Sequence, residues 1–191
     1  MTLELQCESS EAWLEAVLGD FDRFLLDHAV NEKKAAGAAL NLAAHYPDKP
    51  DLVAAMINLS IEELCHYRDV FKLIRERSLR LLADAKDAYV NQLRATIRGE
   101  RQDYFLDRLL VAGIIEARGL ERFAKIAEAL PTGELKDFYQ TIALSEARHS
   151  NLFLQLANQY CDVDLVGSRL ETLLALEASI LAALPVRAML H

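Results

Sequence analysis

Apolar residues recur at three- and four-residue intervals along most of this chain, and no alternation of apolar and polar residues lasts beyond a few positions. That periodicity buries one face of an α-helix, so the pattern predicts an all-α protein. Ser10-Glu11-Ala12-Trp13 opens a short amphipathic helix that Gly19-Asp20 stops. A first long helix is expected from Asp20 to His45, after which Pro47 and Pro50 break the pattern. A second starts at Asp51 and continues to about Leu82. Ala83 to Asp87 reads as a connection into a shorter helix ending near Arg98, with Gly99-Glu100 as a turn. A third long helix ends near Leu130 at Pro131-Thr132-Gly133, and a fourth runs from Glu134 to about Tyr160. A last amphipathic stretch covers Ser168 to Ala183, and Pro185 ends it. The long crossover between the second and third long helices groups the four into two antiparallel pairs around a common axis. One domain over residues 1–191 is expected.

Both pairs carry the same polar signature. Glu63-Leu64-Cys65-His66 and Glu146-Ala147-Arg148-His149 are two copies of Glu-x-x-His, 83 positions apart. Glu32 precedes the first copy by 31 positions, and Glu116 precedes the second by 30. Leu25, Ala29, Ala36 and Ala39 share the helix face of Glu32; Leu109, Ala112, Leu120 and Phe123 share that of Glu116. Met56, Leu59, Val70 and Leu73 flank Glu63 and His66, while Tyr139, Ile142, Phe153 and Leu156 flank Glu146 and His149. All six polar residues thus fall on stripes that should face a core. An isolated carboxylate there costs several kcal/mol, and four together repel unless cations neutralise them. Residues three apart on a helix are neighbours, so each Glu and His can converge on one metal. Four carboxylates and two imidazoles from four helices are the ligand set of a carboxylate-bridged two-metal site in a four-helix bundle, and the oxygen-rich donors suit iron or manganese. A single Glu-x-x-His is common on solvated helix surfaces. Two copies, each with an upstream glutamate at a matching interval on an apolar stripe, are not explained that way. His28 and His45 lack such company and read as surface or helix-end histidines, and His191 carries no signal.

Composition narrows the class. Only 7 Gly and 4 Pro occur, consistent with helices throughout. No apolar run reaches 18 residues, and Met1-Thr2-Leu3-Glu4 is not a basic leader, so a soluble cytoplasmic protein without membrane contact is expected. Cys7, Cys65 and Cys161 show no C-x-x-C spacing, which suits reduced thiols and leaves no rubredoxin-type iron centre. The net charge of −8 opposes broad affinity for nucleic acid. Its distribution is uneven, since the segment from Arg68 to Arg101 is +4 and the remainder −12. A solvated helical surface accounts for that segment, and a local contact with a polyanion does so as well. Ferritin-type iron storage fits poorly, because such subunits usually carry one Glu-x-x-His. Rubrerythrin-type peroxidases usually add a further glutamate and a cysteine-rich iron domain, and radical subunits and acyl desaturases are longer.

Four blocks are more specific. They are Asp27-His28-Ala29-Val30-Asn31-Glu32-Lys33-Lys34-Ala35-Ala36, Glu62-Glu63-Leu64-Cys65-His66, Asp107 to Arg118, and Ser145-Glu146-Ala147-Arg148-His149. Together with Asp87-Ala88-Tyr89-Val90-Asn91 and the continuation to Gly119, they resemble the tRNA isopentenyladenosine hydroxylase family (MiaE type) over nearly the whole chain. The resemblance implies a ferritin-like four-helix bundle with extra short helices. It makes Glu32, Glu63, His66, Glu116, Glu146 and His149 the ligands of two iron ions. The implied reaction is O₂-dependent hydroxylation of the isopentenyl group of (2-methylthio-)isopentenyladenosine next to the tRNA anticodon. Electrons would come from an external partner, since no flavin or nicotinamide fingerprint is present. A monomer or weak dimer is expected. The alternative is a di-iron or di-manganese oxidase or peroxidase acting on a small molecule. On the hydroxylase reading, some of Lys33, Lys34, Arg68, Arg75, Arg94, Arg98, Arg118 and Arg122 would face the anticodon arm. Ala112 and Gly113 would leave room for a prenyl chain or serve close helix packing. In similar di-iron proteins the residue before each motif glutamate holds the opposite histidine, a part open to Glu62 and Ser145.

Overall fold

The periodicity is realised as seven helices among the described residues of a computed structural model, with no strand. The structure describes residues 3–81, 83–84 and 86–191, and the backbone alone of Arg101 and Gln102. Met1 and Thr2 of the N-terminal segment, the expected helix end at Leu82 and Ala85 of the expected connection lie outside these, as does the Arg101 side chain. The helices are α1 (Glu11–Gly19), α2 (Phe21–His45), α3 (Pro50–Glu76), α4 (Ala88–Arg94), α5 (Arg101–Ala129), α6 (Glu134–Tyr160) and α7 (Val163–Ala183). None is long and apolar enough to cross a membrane.

The chain divides into two compact units. One comprises Glu15–Ala85 with Arg187–Leu190, and its centre is the pairing of α2 with α3. Asp20 caps α2 by accepting from the Arg23 N–H, and Pro50 begins α3 at a position where a missing N–H costs nothing. Between them residues 46–49 reverse the chain. Leu25, Ala29, Ala36 and Ala39 of α2 and Leu52, Met56, Val70 and Ile74 of α3 are all buried. The small alanines let the two backbones approach closely, and the longer side chains of α3 fill the space.

The other unit comprises Met1–Leu14, Lys86–Val186 and His191. Here α5 pairs with α6 across the Pro131-Thr132-Gly133 break, and α4 and α7 pack on α5. A buried polar network ties these helices together. The Arg118 guanidinium donates to both oxygens of Glu177 at 2.9 and 3.1 Å, to Glu121 at 3.0 Å and to the Cys7 carbonyl at 3.0 Å. Tyr89 of α4 donates its hydroxyl to Glu177 at 2.9 Å. Removing one partner from such a buried pair costs roughly 3–5 kcal/mol, because the other is left charged and unpaired.

Three helix ends differ from expectation. The second long helix stops at Glu76, short of Leu82. Ser78 adopts a left-handed conformation (φ 57°), and Leu79 N–H reaches Ile74 O at 3.0 Å while Ser78 N–H reaches Arg75 O at 2.9 Å. That pair of bonds closes the helix as a Schellman turn; the apolar run beyond it disguised the end. α4 stops at Arg94 rather than near Arg98, whose backbone N–H and guanidinium are drawn to Asp107 instead. α7 begins at Val163, five residues before Ser168, because Asp162 caps the N–H groups of Asp164 and Leu165. Exposed Val163 and Leu165 break the amphipathic pattern there and hid the true start.

Candidate metal centre

Hairpin geometry explains the matched intervals. Glu32 lies fourteen residues before the 46–49 turn and Glu63 fourteen after it. At 1.5 Å per residue both stand about 21 Å from the turn and therefore face each other. Glu116 and Glu146 stand in the same relation to the break at 130–133, fourteen residues before and thirteen after.

In the α2–α3 pair, Glu32, Glu63 and His66 are all buried and offer ligand atoms within 4.8 Å of one another. His66 Nδ1 is 3.5 Å from Glu32 Oε2 and 3.4 Å from Glu63 Oε2. In the α5–α6 pair, Glu116, Glu146 and His149 offer ligand atoms within the same limit. His149 Nδ1 is 3.4 Å from Glu146 Oε2 and 3.9 Å from Glu116 Oε2, and the Glu116 side chain is 12% exposed against 4% for Glu32. Gly119, one turn beyond Glu116, brings α5 close to the second motif: a Cβ there would lie 3.8 Å from Glu146 Cγ. Each pair therefore brings together two carboxylates and one imidazole, all buried except half-buried Glu116, a donor set that fits a divalent metal with a preference for oxygen.

Charge is already partly managed inside the α2–α3 pair. Burial pushes the Glu32 carboxyl up, but the hydrogen bond from His28 and the neighbouring His66 outweigh it and hold Glu32 well below the ordinary range. Burial presses His66 down, yet the Glu32 and Glu63 carboxylates beside it prevail and raise it to about 10. The carboxylates thus attract a positive charge into the pair.

His28 corrects the sequence reading. It is not a surface histidine but fully buried, with Nε2 2.6 Å from Glu32 Oε1. The signal lay in its place one turn before Glu32 on the same apolar stripe. His45 is exposed, as expected, with Nδ1 2.8 Å from Asn41 O. Ser145 is buried and accepts from Arg148 Nη2 at 2.9 Å, while Glu62 is half-buried.

The basic residues separate clearly. Arg118 is buried in the Glu177 network, and Arg122 is buried with its guanidinium 4.6 Å from the Trp13 ring and Nε donating to Ser9 Oγ at 2.9 Å. Burial and the neighbouring Arg118 charge lower Arg122 to about 10. Neither is placed to meet a polyanion, so both leave the candidate set. Arg98 is engaged by Asp103 and Asp107, and Lys33 by Asp84 at 2.7 Å. Arg68, Arg75 and Arg94 are exposed, and Lys34 is half-buried. Gly113 belongs to packing rather than to a prenyl pocket: a Cβ there would meet Leu3 Cδ1 and Phe153 Cβ at 3.2 Å.

Comparison with known proteins gives a consistent result. The profile of the family described as tRNA-(MS[2]IO[6]A)-hydroxylase (MiaE) matches residues 2–191. The tRNA 2-(methylsulfanyl)-N(6)-isopentenyladenosine(37) hydroxylase of Pseudomonas putida is 39% identical over 158 residues, covering 83% of this chain and 77% of the relative. The Salmonella typhimurium protein of the same name is 27% identical over 210 residues, covering 84% and 77%. Among solved structures, a Synechococcus protein described as having aldehyde deformylating oxygenase activity matches with a TM-score of 0.93 and 36% identity, covering 98% of this chain and 94% of that one. The fold is the all-α, ferritin-like four-helix architecture that the sequence predicts.

Proposed function

Since the chain belongs to the tRNA-(MS[2]IO[6]A)-hydroxylase (MiaE) family, we propose that it is a cytoplasmic di-iron monooxygenase. It hydroxylates the isopentenyl group of (2-methylthio-)isopentenyladenosine beside the tRNA anticodon, with O₂ as co-substrate and electrons from an external partner. We read residues 1–191 as one domain. Glu32, Glu63, His66, Glu116, Glu146 and His149 hold two iron ions. One observation carries the reading: in each of two helix pairs two carboxylates and an imidazole, all buried except half-buried Glu116, bring ligand atoms within 4.8 Å of one another. Four carboxylates balance two divalent cations, which removes the electrostatic objection to burying them.

Bound iron supplies the activation of O₂ and the removal of hydrogen from an unactivated C–H bond. This chain's residues do the rest. The two motifs give each ion one imidazole, and Glu32 and Glu116 bring the further carboxylates. Leu25, Ala29, Met56 and Leu59 on the first pair, and Leu109, Tyr139, Ile142 and Phe153 on the second, are buried beside these ligands and exclude water. Exposed Arg68, Arg75 and Arg94 offer positive charge to the anticodon arm.

The Synechococcus relative supports a second reading, an oxidase acting on a small molecule such as an aldehyde. One experiment separates the two. Iron-loaded protein with reductant and O₂ is given prenylated tRNA or, separately, a long-chain aldehyde. The proposal expects a gain of one oxygen atom on the modified nucleoside and no loss of aldehyde. Aldehyde consumption with unchanged tRNA would overturn it.

A further inference from the structure

We propose that His28 is a positioning residue for Glu32, tying one carboxylate oxygen so that the other alone is presented toward the Glu63–His66 motif. The inference rests on the reading of Glu32 as an iron ligand and goes beyond it to what orients that ligand.

His28 is fully buried on α2, one helical turn before Glu32, and its Nε2–H donates to Glu32 Oε1 at 2.6 Å. The second oxygen, Oε2, points the other way, 3.5 Å from His66 Nδ1. The carboxylate is therefore fixed in rotation with its two oxygens in different roles. The imidazole is itself held by packing: the buried Phe24 ring lies 5.9 Å from it, at 33°. His28 contributes no atom to the group of ligand atoms that lie within 4.8 Å of one another. It acts through Glu32.

The matching position on the other helix pair carries a different residue. One turn before Glu116 stands Ala112, whose methyl group donates nothing. A contact of the His28 kind therefore has no counterpart at the matching position of α5. Hydrogen bonds from outside the ligand shell onto a ligating carboxylate typically change metal affinity 10–100-fold.

The test compares His28→Gln with His28→Asn. Both substitute a neutral amide; the Gln amide nitrogen reaches the place of Nε2, whereas that of Asn stops short near Nδ1. Anaerobic titration with Fe(II), and Mössbauer spectra of ⁵⁷Fe-loaded protein, are read beside thermal melting. Wild type is expected to bind two irons per chain, and its titration and spectrum set the reference. His28→Asn should weaken iron binding at least tenfold and alter the spectrum, while His28→Gln stays within about threefold. Two variants that melt lower but titrate and resonate like wild type would overturn the positioning role and leave the di-iron reading standing. Equal impairment of both would also overturn it, because the imidazole itself would then be required. A wild type that takes up no iron would overturn both. Independently of any variant, ¹⁵N-histidine spectra of the unsubstituted protein should show a slowly exchanging Nε2–H at His28, and its absence would contradict the hydrogen bond.

Discussion

Glu32, Glu63 and Glu146 occupy places on their helices where a leucine would ordinarily stand, each less than 4% exposed. That contradiction between residue type and position made the candidate ligands legible in the sequence. A carboxylate on an apolar stripe demands a counter-charge, and four such carboxylates beside two histidines in two matched sets leave few ways to supply it. His28 stands on the same stripe one turn before Glu32, and it was missed because it belongs to neither copy of the repeated motif. Arg118 and Arg122 misled for a related reason. Apart from Glu121, one turn beyond Arg118, their partners Glu177, Cys7, Ser9 and Trp13 lie 59 to 113 positions away, and no local pattern connects these. At this scale Glu63→Ala and His149→Ala should each lose iron and hydroxylation together, by metal analysis and turnover. A variant with two irons and full turnover would remove its residue from the ligand set.

Among elements, the long helices were read well and their ends less well, since ends depend on a few hydrogen bonds rather than on periodicity. Ser78 shows this directly. It closes α3 in a left-handed conformation that disfavours a side chain, a penalty of about 1 kcal/mol. Ser78→Gly should therefore raise the melting temperature by roughly 2–4 °C, and a lower melting temperature would contradict the closure described. Asp107 of α5 joins two further segments, accepting from Arg98 and from Arg169 of α7 at 2.7–3.0 Å. Burial raises its carboxyl, but these hydrogen bonds, including the Arg98 backbone N–H, win and hold it at about 2. The folded value lies below the ordinary 3.8, so the stabilisation is complete above pH 4 and disappears as pH falls to about 2. It amounts to roughly 2 kcal/mol. Denaturant titrations of wild type and Asp107→Asn should converge as pH falls through that window; a constant difference would refute the linkage.

For the molecule as a whole, a net charge of −8 coexists with exposed cations at Arg68, Lys72 and Arg75 on α3. Binding of tRNA should accordingly weaken steeply with salt. Arg75→Ala should lower affinity several-fold and flatten the logarithmic salt dependence by about 0.7–0.9; an unchanged slope would place the anticodon arm elsewhere. Fold class and helix pairing were readable because the doubled motif and the crossover imply each other. The partner that supplies electrons was not, because no residue pattern in this chain encodes it. The central claim is that both helix pairs serve one pair of cations. Anomalous diffraction at the iron edge, from crystals of iron-loaded protein, tests it most directly. Two peaks per chain are predicted, one beside Glu63 and His66 and the other beside Glu146 and His149, with Glu32 and Glu116 completing the set. A single peak, or Glu116 directed away from both, would contradict it.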